Sequence, residues 1–163
     1  MVEDSNIVDI VDHLDFLTRV CLLVEAEVIL ELGTRTGHST RAFLKAAEIL
    51  NAKVISVDID DCTPFVKPNK HWTFHQMNDL DFEIDTPVDV LFIDTSHKYN
   101  HTLRELEKFA PKVRQNGVIL LHDTISCTDV YKALSKFVQN NPNKYDFDHH
   151  EFCNGLGILW KRV

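Results

Sequence analysis

Four short apolar runs, Val28 to Leu32, Val54 to Val57, Val88 to Ile93 and Val118 to Leu121, each stop at a glycine, an acid or a His-Asp pair. Segments with apolar residues at helical spacing lie between them. Runs this short, apolar on both faces, suit strands buried on both sides, and strands that alternate with helices suit a doubly wound, mostly parallel α/β sheet. The spacing predicts a helix over 39–50 with Ala42, Phe43, Ala46, Ile49 and Leu50 inward. Another covers 99–110, with Leu103, Leu106 and Phe109 inward and Pro111 as its stop. A third starts at Thr128 or Asp129 and carries Val130, Ala133, Leu134, Phe137 and Val138. An opening helix presents Ile7, Ile10, Val11, Leu14, Leu17, Cys21 and Val24, with Ser5 as N-cap. Residues 62–87 are less regular, with a short helix at Thr63-Pro64 and a strand over Trp72 to Met77. Asn116-Gly117 reads as a turn, and Tyr145 to Phe152 and Leu156 to Trp160 as two last strands joined by Asn154-Gly155.

At 163 residues, with no repeat or linker, the chain suits one domain: an N-terminal helix over 1–25 and a core over 26–163. Its net charge of −8 repels phosphate backbones and anionic lipid, which argues against nucleic-acid or membrane partners. Its apolar runs fall far short of the roughly 20 residues that cross a bilayer, and the acidic first dozen residues do not read as a signal peptide. Cys21, Cys62, Cys127 and Cys153 form no C-x-x-C pair, so a reduced, cytoplasmic protein with thiols as core filler is expected. His149, His150 and Cys153 are close in sequence, but strand alternation sends neighbours to opposite faces and weakens a metal reading.

In parallel sheets ligands bind beyond the carboxyl ends of the strands, near the switch in strand order. Here those ends hold the chemistry. Gly33 to Gly37 follows a strand and enters a helix, where glycine permits a tight turn and backbone N–H groups face a ligand. Its pattern is G-x-x-x-G, with Arg35 where a dinucleotide fingerprint needs its middle glycine, so a nicotinamide-dependent oxidoreductase is disfavoured. Asp58 ends the second strand about twenty residues on, where a carboxylate can accept from ribose hydroxyls. Asn78-Asp79, after the third strand, can meet an adenine edge. Asp94 and Asp123 end strands that the doubly wound order makes neighbours, about 5 Å apart. Two anions that close need a proton or a cation between them, and oxygen ligands suit Mg²⁺, Mn²⁺ or Ca²⁺. His97 lies three residues past Asp94 and titrates in the range of a general base.

Together these segments resemble the class I S-adenosylmethionine-dependent methyltransferases, most closely the cation-dependent O-methyltransferases of the catechol type and of the macrocin or cephalosporin-hydroxylase-like type. The likeness is carried by residues 28–40, 54–60, 88–99 and 117–124 in that order, with residues 154–160 as the closing strand. It implies a seven-stranded, or slightly reduced, Rossmann-like sheet with a final antiparallel strand. It implies an enzyme that transfers a methyl group from S-adenosylmethionine to a hydroxylated small molecule, with Mg²⁺ the expected ion. Glu31, Gly33, Thr34, Arg35, Gly37 and Ser39 of the first motif, with Asp58 and Ile59, would hold the cofactor; Asn78 and Asp79 would lie near the adenine, and Asp94 beside it. Asp94, Asp123 and Thr124 would form the metal site, Thr124 standing where the catechol type has an amide, and His97 or its neighbour Lys98 would be the base. Only about thirty residues separate Asp58 from the strand at Val88, so at least one covering helix is short or missing. That thin wall implies an open site, completion by a second copy in a homodimer, or lost activity. A non-catalytic cofactor-binding or protein-interaction module of the same fold is the alternative.

Overall fold

The four apolar runs are strands, joined by three more, in a computed structural model that describes residues 10–163. The strands are β1 (Val28–Leu32), β2 (Lys53–Asp58), β3 (Trp72–Gln76), β4 (Val88–Ile93), β5 (Val113–His122), β6 (Tyr145–His150) and β7 (Leu156–Lys161). They form one seven-stranded sheet in the order β3-β2-β1-β4-β5-β7-β6. The first five run parallel, while β7 is antiparallel to both β5 and β6. Strand order reverses between β1 and β4, which places the switch point at the centre of the sheet.

Period-two alternation divides the core into two layers. Ile29, Val54, Val90, Phe92, Val118 and Leu120 face α1 (Leu14–Leu23) and α2 (His38–Leu50). Val28, Leu30, Leu32, Leu91, Ile119 and Leu121 face α3 (Tyr99–Phe109) and α4 (Thr128–Asn140). Phe43 of α2 meets Phe92 of β4 edge-on, with centroids 5.4 Å apart and both rings fully buried. Asp89 of β4 ties down the start of β1: its Oδ2 accepts from the Glu27 and Val28 N–H groups at 2.8 and 2.7 Å, and its Oδ1 pairs with Arg114.

Several details differ from the periodicity. The opening helix begins with a 3₁₀ turn at Val11–His13, and its expected residues Ser5 and Ile7 lie outside the described residues. Val11 is 42% exposed, and Ile49, about 100° around α2 from Leu50, is 66% exposed. Asn116-Gly117 lies within β5 instead of in a turn before it: Val113 pairs with Val88 and Val118 with Val90, so five steps along β5 match two along β4. Asn116 takes the left-handed conformation there (φ +61°), and a Cβ on Gly117 would come within 2.8 Å of the Asp89 carbonyl. The only helices between β2 and β4 are 3₁₀ turns, at Thr63–Phe65 and Asp79–Asp81, so no α-helix covers β3 from that connection. Cys21 and Cys62 are buried as expected, but Cys127 and Cys153 are only partly so; Cys153 donates to Asp12 Oδ2 at 3.1 Å. Among the described residues no helix is long and apolar enough to cross a membrane.

Candidate active site

The carboxyl ends of β1, β2, β3 and β4 surround one cavity of about 320 Å³ at the switch point. Gly33 and Arg35 line it from β1, Asp58 and Ile59 from β2, Asn78 and Asp79 from the segment after β3, and Asp94, Thr95 and Ser96 from β4. Backbone bonds knit these ends together: Gly33 N–H to the Val57 carbonyl at 2.9 Å, Asp94 N–H to Leu32 at 2.8 Å, Met77 N–H to Asp58 at 2.8 Å. Gly33 has φ +89°, and a Cβ there would sit 1.9 Å from the Asp94 carbonyl oxygen, so only glycine fits. Asp58 Oδ2 accepts from the Thr34 and Arg35 N–H groups at 2.7 and 3.0 Å, and Oδ1 from Asp60 N–H at 3.0 Å. The carboxylate that ends β2 thereby shapes the glycine loop as well as facing the cavity.

Glu31 shapes the loop from behind. It is fully buried on the α2 side of β1 and accepts from Ser39 Oγ (2.6 Å), Thr40 Oγ1 (2.7 Å), Ser56 Oγ (2.6 Å) and Thr34 Oγ1 (3.4 Å). Burial pushes its carboxyl up to about 6, against the pull of those hydroxyls.

Asp94, which lines the cavity, belongs to a cluster of four charged groups. His97 Nε2–H donates to Asp94 Oδ1 at 3.1 Å and lies 2.9 Å from Asp123 Oδ2, so the imidazole bridges the two carboxylates. His122 Nδ1 lies 3.5 Å from a carboxylate oxygen of each. Hydrogen bonds to Asp123 and then Asp94 push His97 up to about 10; burial opposes the same bonds at His122 but does not prevent its rise. Asp123 is held well below the usual carboxylate range by the two histidines despite its burial. His97 (φ +54°) and Asp123 (φ +60°) both adopt the left-handed conformation that side chains disfavour, and they meet in this cluster.

A family model described as a methyltransferase domain matches residues 30–124, more than half of the chain. The chain belongs to the methyltransferase-domain family. No curated protein matches it in sequence. Solved structures match throughout. A Staphylococcus aureus protein provisionally assigned as a caffeoyl-CoA O-methyltransferase has a TM-score of 0.78 at 16% identity, over 91% of this chain and 82% of its own. The O-methyltransferase from Bacillus cereus, in complex with SAH, has a TM-score of 0.69 at 18% identity, over 92% and 81%. The N-methyltransferase NodS from Bradyrhizobium japonicum, in complex with S-adenosyl-L-homocysteine, has 0.72 at 12%, over 98% and 90%. At such identities the likeness is one of fold, and it spans proteins named for transfer to oxygen and to nitrogen.

Within this methyltransferase domain, seven residues expected at a cofactor line the cavity: Gly33, Arg35, Asp58, Ile59, Asn78, Asp79 and Asp94. Glu31, Thr34, Gly37 and Ser39 do not: Glu31 accepts from the Thr34 and Ser39 hydroxyls beneath the loop, and within the loop Gly37 N–H closes the turn onto the Thr34 carbonyl at 2.8 Å. Thr124, expected in the metal site, has its hydroxyl on His149 Nε2 at 2.8 Å, and His122 offers a nitrogen to the acids in its place. Lys98 does not line the cavity that Asp94 lines; with Tyr99, Arg104 and Asp129 it lines an adjoining depression that shares His101 with it. Three histidines and acids escaped sequence reasoning: His122, His101 and Glu105. His122 abuts Asp123, and Glu105 sits beside Leu106 on the inward face of α3, an acid on an apolar stripe that could have marked it.

Proposed function

We propose that the chain transfers a methyl group from S-adenosylmethionine to a hydroxyl of a small molecule, assisted by a divalent cation. The observation that carries this reading is that Gly33, Asp58 and Asp94, from three strands, wall one cavity. The SAH named with the Bacillus cereus and Bradyrhizobium japonicum structures supports the choice of cofactor. Gly33 and Arg35 would hold the methionine part against the β1 end. Asp58 Oδ2 already serves two backbone N–H groups, which leaves Oδ1 with a lone pair for a ribose hydroxyl. Asn78, exposed at the cavity wall, would meet the adenine edge.

The acid pair fits a cation. Asp94, Asp123 and His122 each offer a ligand atom, all within 4.8 Å of one another, and the pair already draws the positive charge of His97 between its oxygens. Asp94, Asp123 and His122 would hold the ion, which would supply Lewis-acid chemistry that acidifies a bound hydroxyl. His97 Nε2, once its own proton is given up, would take the hydroxyl proton; the oxygen would bond to the methyl carbon as the methyl–sulfur bond breaks, and S-adenosylhomocysteine would leave, while the cavity walls keep the two reactants aligned.

Labelled S-adenosylmethionine incubated with a panel of catechols, phenols and sugars tests this. Transfer is expected with Mg²⁺ and not with chelator, and Asp94→Asn, Asp123→Asn and His97→Gln are each expected to lower it by about 10²-fold or more. Cofactor binding without transfer to any acceptor would instead identify a non-catalytic module.

A further inference from the structure

A second cluster of ligating side chains borders the same cavity through Asp79 and His101. Asp79, in the 3₁₀ turn after β3, receives His101 Nε2–H at 2.9 Å on Oδ1 and 3.1 Å on Oδ2. One turn further along α3, Glu105 Oε1 lies 3.6 Å from the same nitrogen. The three ligand atoms fall within 4.8 Å of one another. Ligands about 2.0–2.2 Å from a tetrahedral ion stand roughly 3.3 Å apart, which these separations bracket.

Glu105 carries the second observation. Its side chain is fully buried, Thr95 Oγ1 donates to its Oε1 at 2.7 Å, its Oε2 receives no N–H or hydroxyl donor among the described residues, and the carboxyl meets that of Asp79. Two buried acids this close must share a proton or hold a cation between them. Burial and Asp79 together push Glu105 up to about 10. His101 and Thr95 both line the cavity, so an ion has a path from solvent.

We infer that Asp79, His101 and Glu105 form a second divalent-cation site, separate from the Asp94–Asp123 pair and suited to an ion that accepts imidazole nitrogen, such as Zn²⁺, in preference to Mg²⁺. Two carboxylates and one imidazole match zinc, whereas magnesium keeps oxygen ligands and water. The site stands whether or not the domain transfers methyl groups.

The full chain carrying Asp94→Asn and Asp123→Asn, stripped with chelator, is titrated with ZnCl₂ by calorimetry and melted with and without zinc. About one Zn²⁺ per chain and a higher melting temperature are expected. Adding His101→Gln, on the half-exposed side of α3, or Glu105→Gln is expected to lower affinity at least tenfold. Should the double substitution prevent folding, His101→Gln alone is expected to remove one zinc from the total bound by the otherwise unmodified chain. Three results would overturn the site. The first is no zinc uptake. The second is uptake unchanged by His101→Gln and Glu105→Gln. The third is a Glu105→Gln protein that melts higher than its parent while zinc shifts neither, which would show the acids closed by a shared proton.

Discussion

Glu31 shows how one residue can serve a site without facing it. On β1 it occupies a position that alternation gives to the apolar α2 layer, and four hydroxyls satisfy it there. Its carboxyl sits near 6 in the native state against 4.5 ordinarily. Between those values the native state holds a proton that the unfolded chain has lost, so its contribution is full below pH 4.5 and fades as pH rises through 6. Glu31→Gln removes the titration. Across that window the wild type is expected to lose about 2 kcal/mol relative to the variant, read from paired denaturant melts; a constant difference would contradict the assignment. Sequence placed Glu31 at the cofactor because a motif records which residues cluster, not which way each one points. The same limit applies at Thr124, whose hydroxyl turns to His149. It applies at Lys98, the extended residue before α3, next to a left-handed His97.

Among the elements, β4 holds the two layers together and, like β1, is buried along its whole length. Phe92 fills the layer beneath α2 against Phe43, so Phe92→Ala is expected to lower unfolding stability by about 3–5 kcal/mol. A loss under 1 kcal/mol in chemical denaturation would show that the helix does not seat there. Strands apolar on both faces were legible because burial on both sides leaves few alternatives. The segment over 62–87 was harder to read because its only helices are single 3₁₀ turns, too short for a period to register. Asn116-Gly117 misled for another reason. A left-handed Asn and a glycine serve a bulge inside β5 as well as they serve a turn, and only the contact with Asp89 separates the two.

At the scale of the molecule, the sheet order decides which distant residues become neighbours. β1 and β4 are adjacent though some sixty residues apart, which brings Gly33 against Asp94; β2 beside β1 adds Asp58. That convergence could be anticipated from the alternation of strands and helices. The Asp79–His101–Glu105 cluster could not, since it depends on how α3 leans against a 3₁₀ turn twenty-two residues upstream of His101. The central claim is that the joined strand ends bind a nucleoside-bearing sulfur compound. Isothermal calorimetry with S-adenosylhomocysteine tests it most directly. One molecule is expected to bind per chain and NAD none, with Asp58→Asn weakening the affinity at least tenfold and Gly33→Ala abolishing it. Absence of binding to the wild-type chain, or binding indifferent to both substitutions in folded protein, would contradict it.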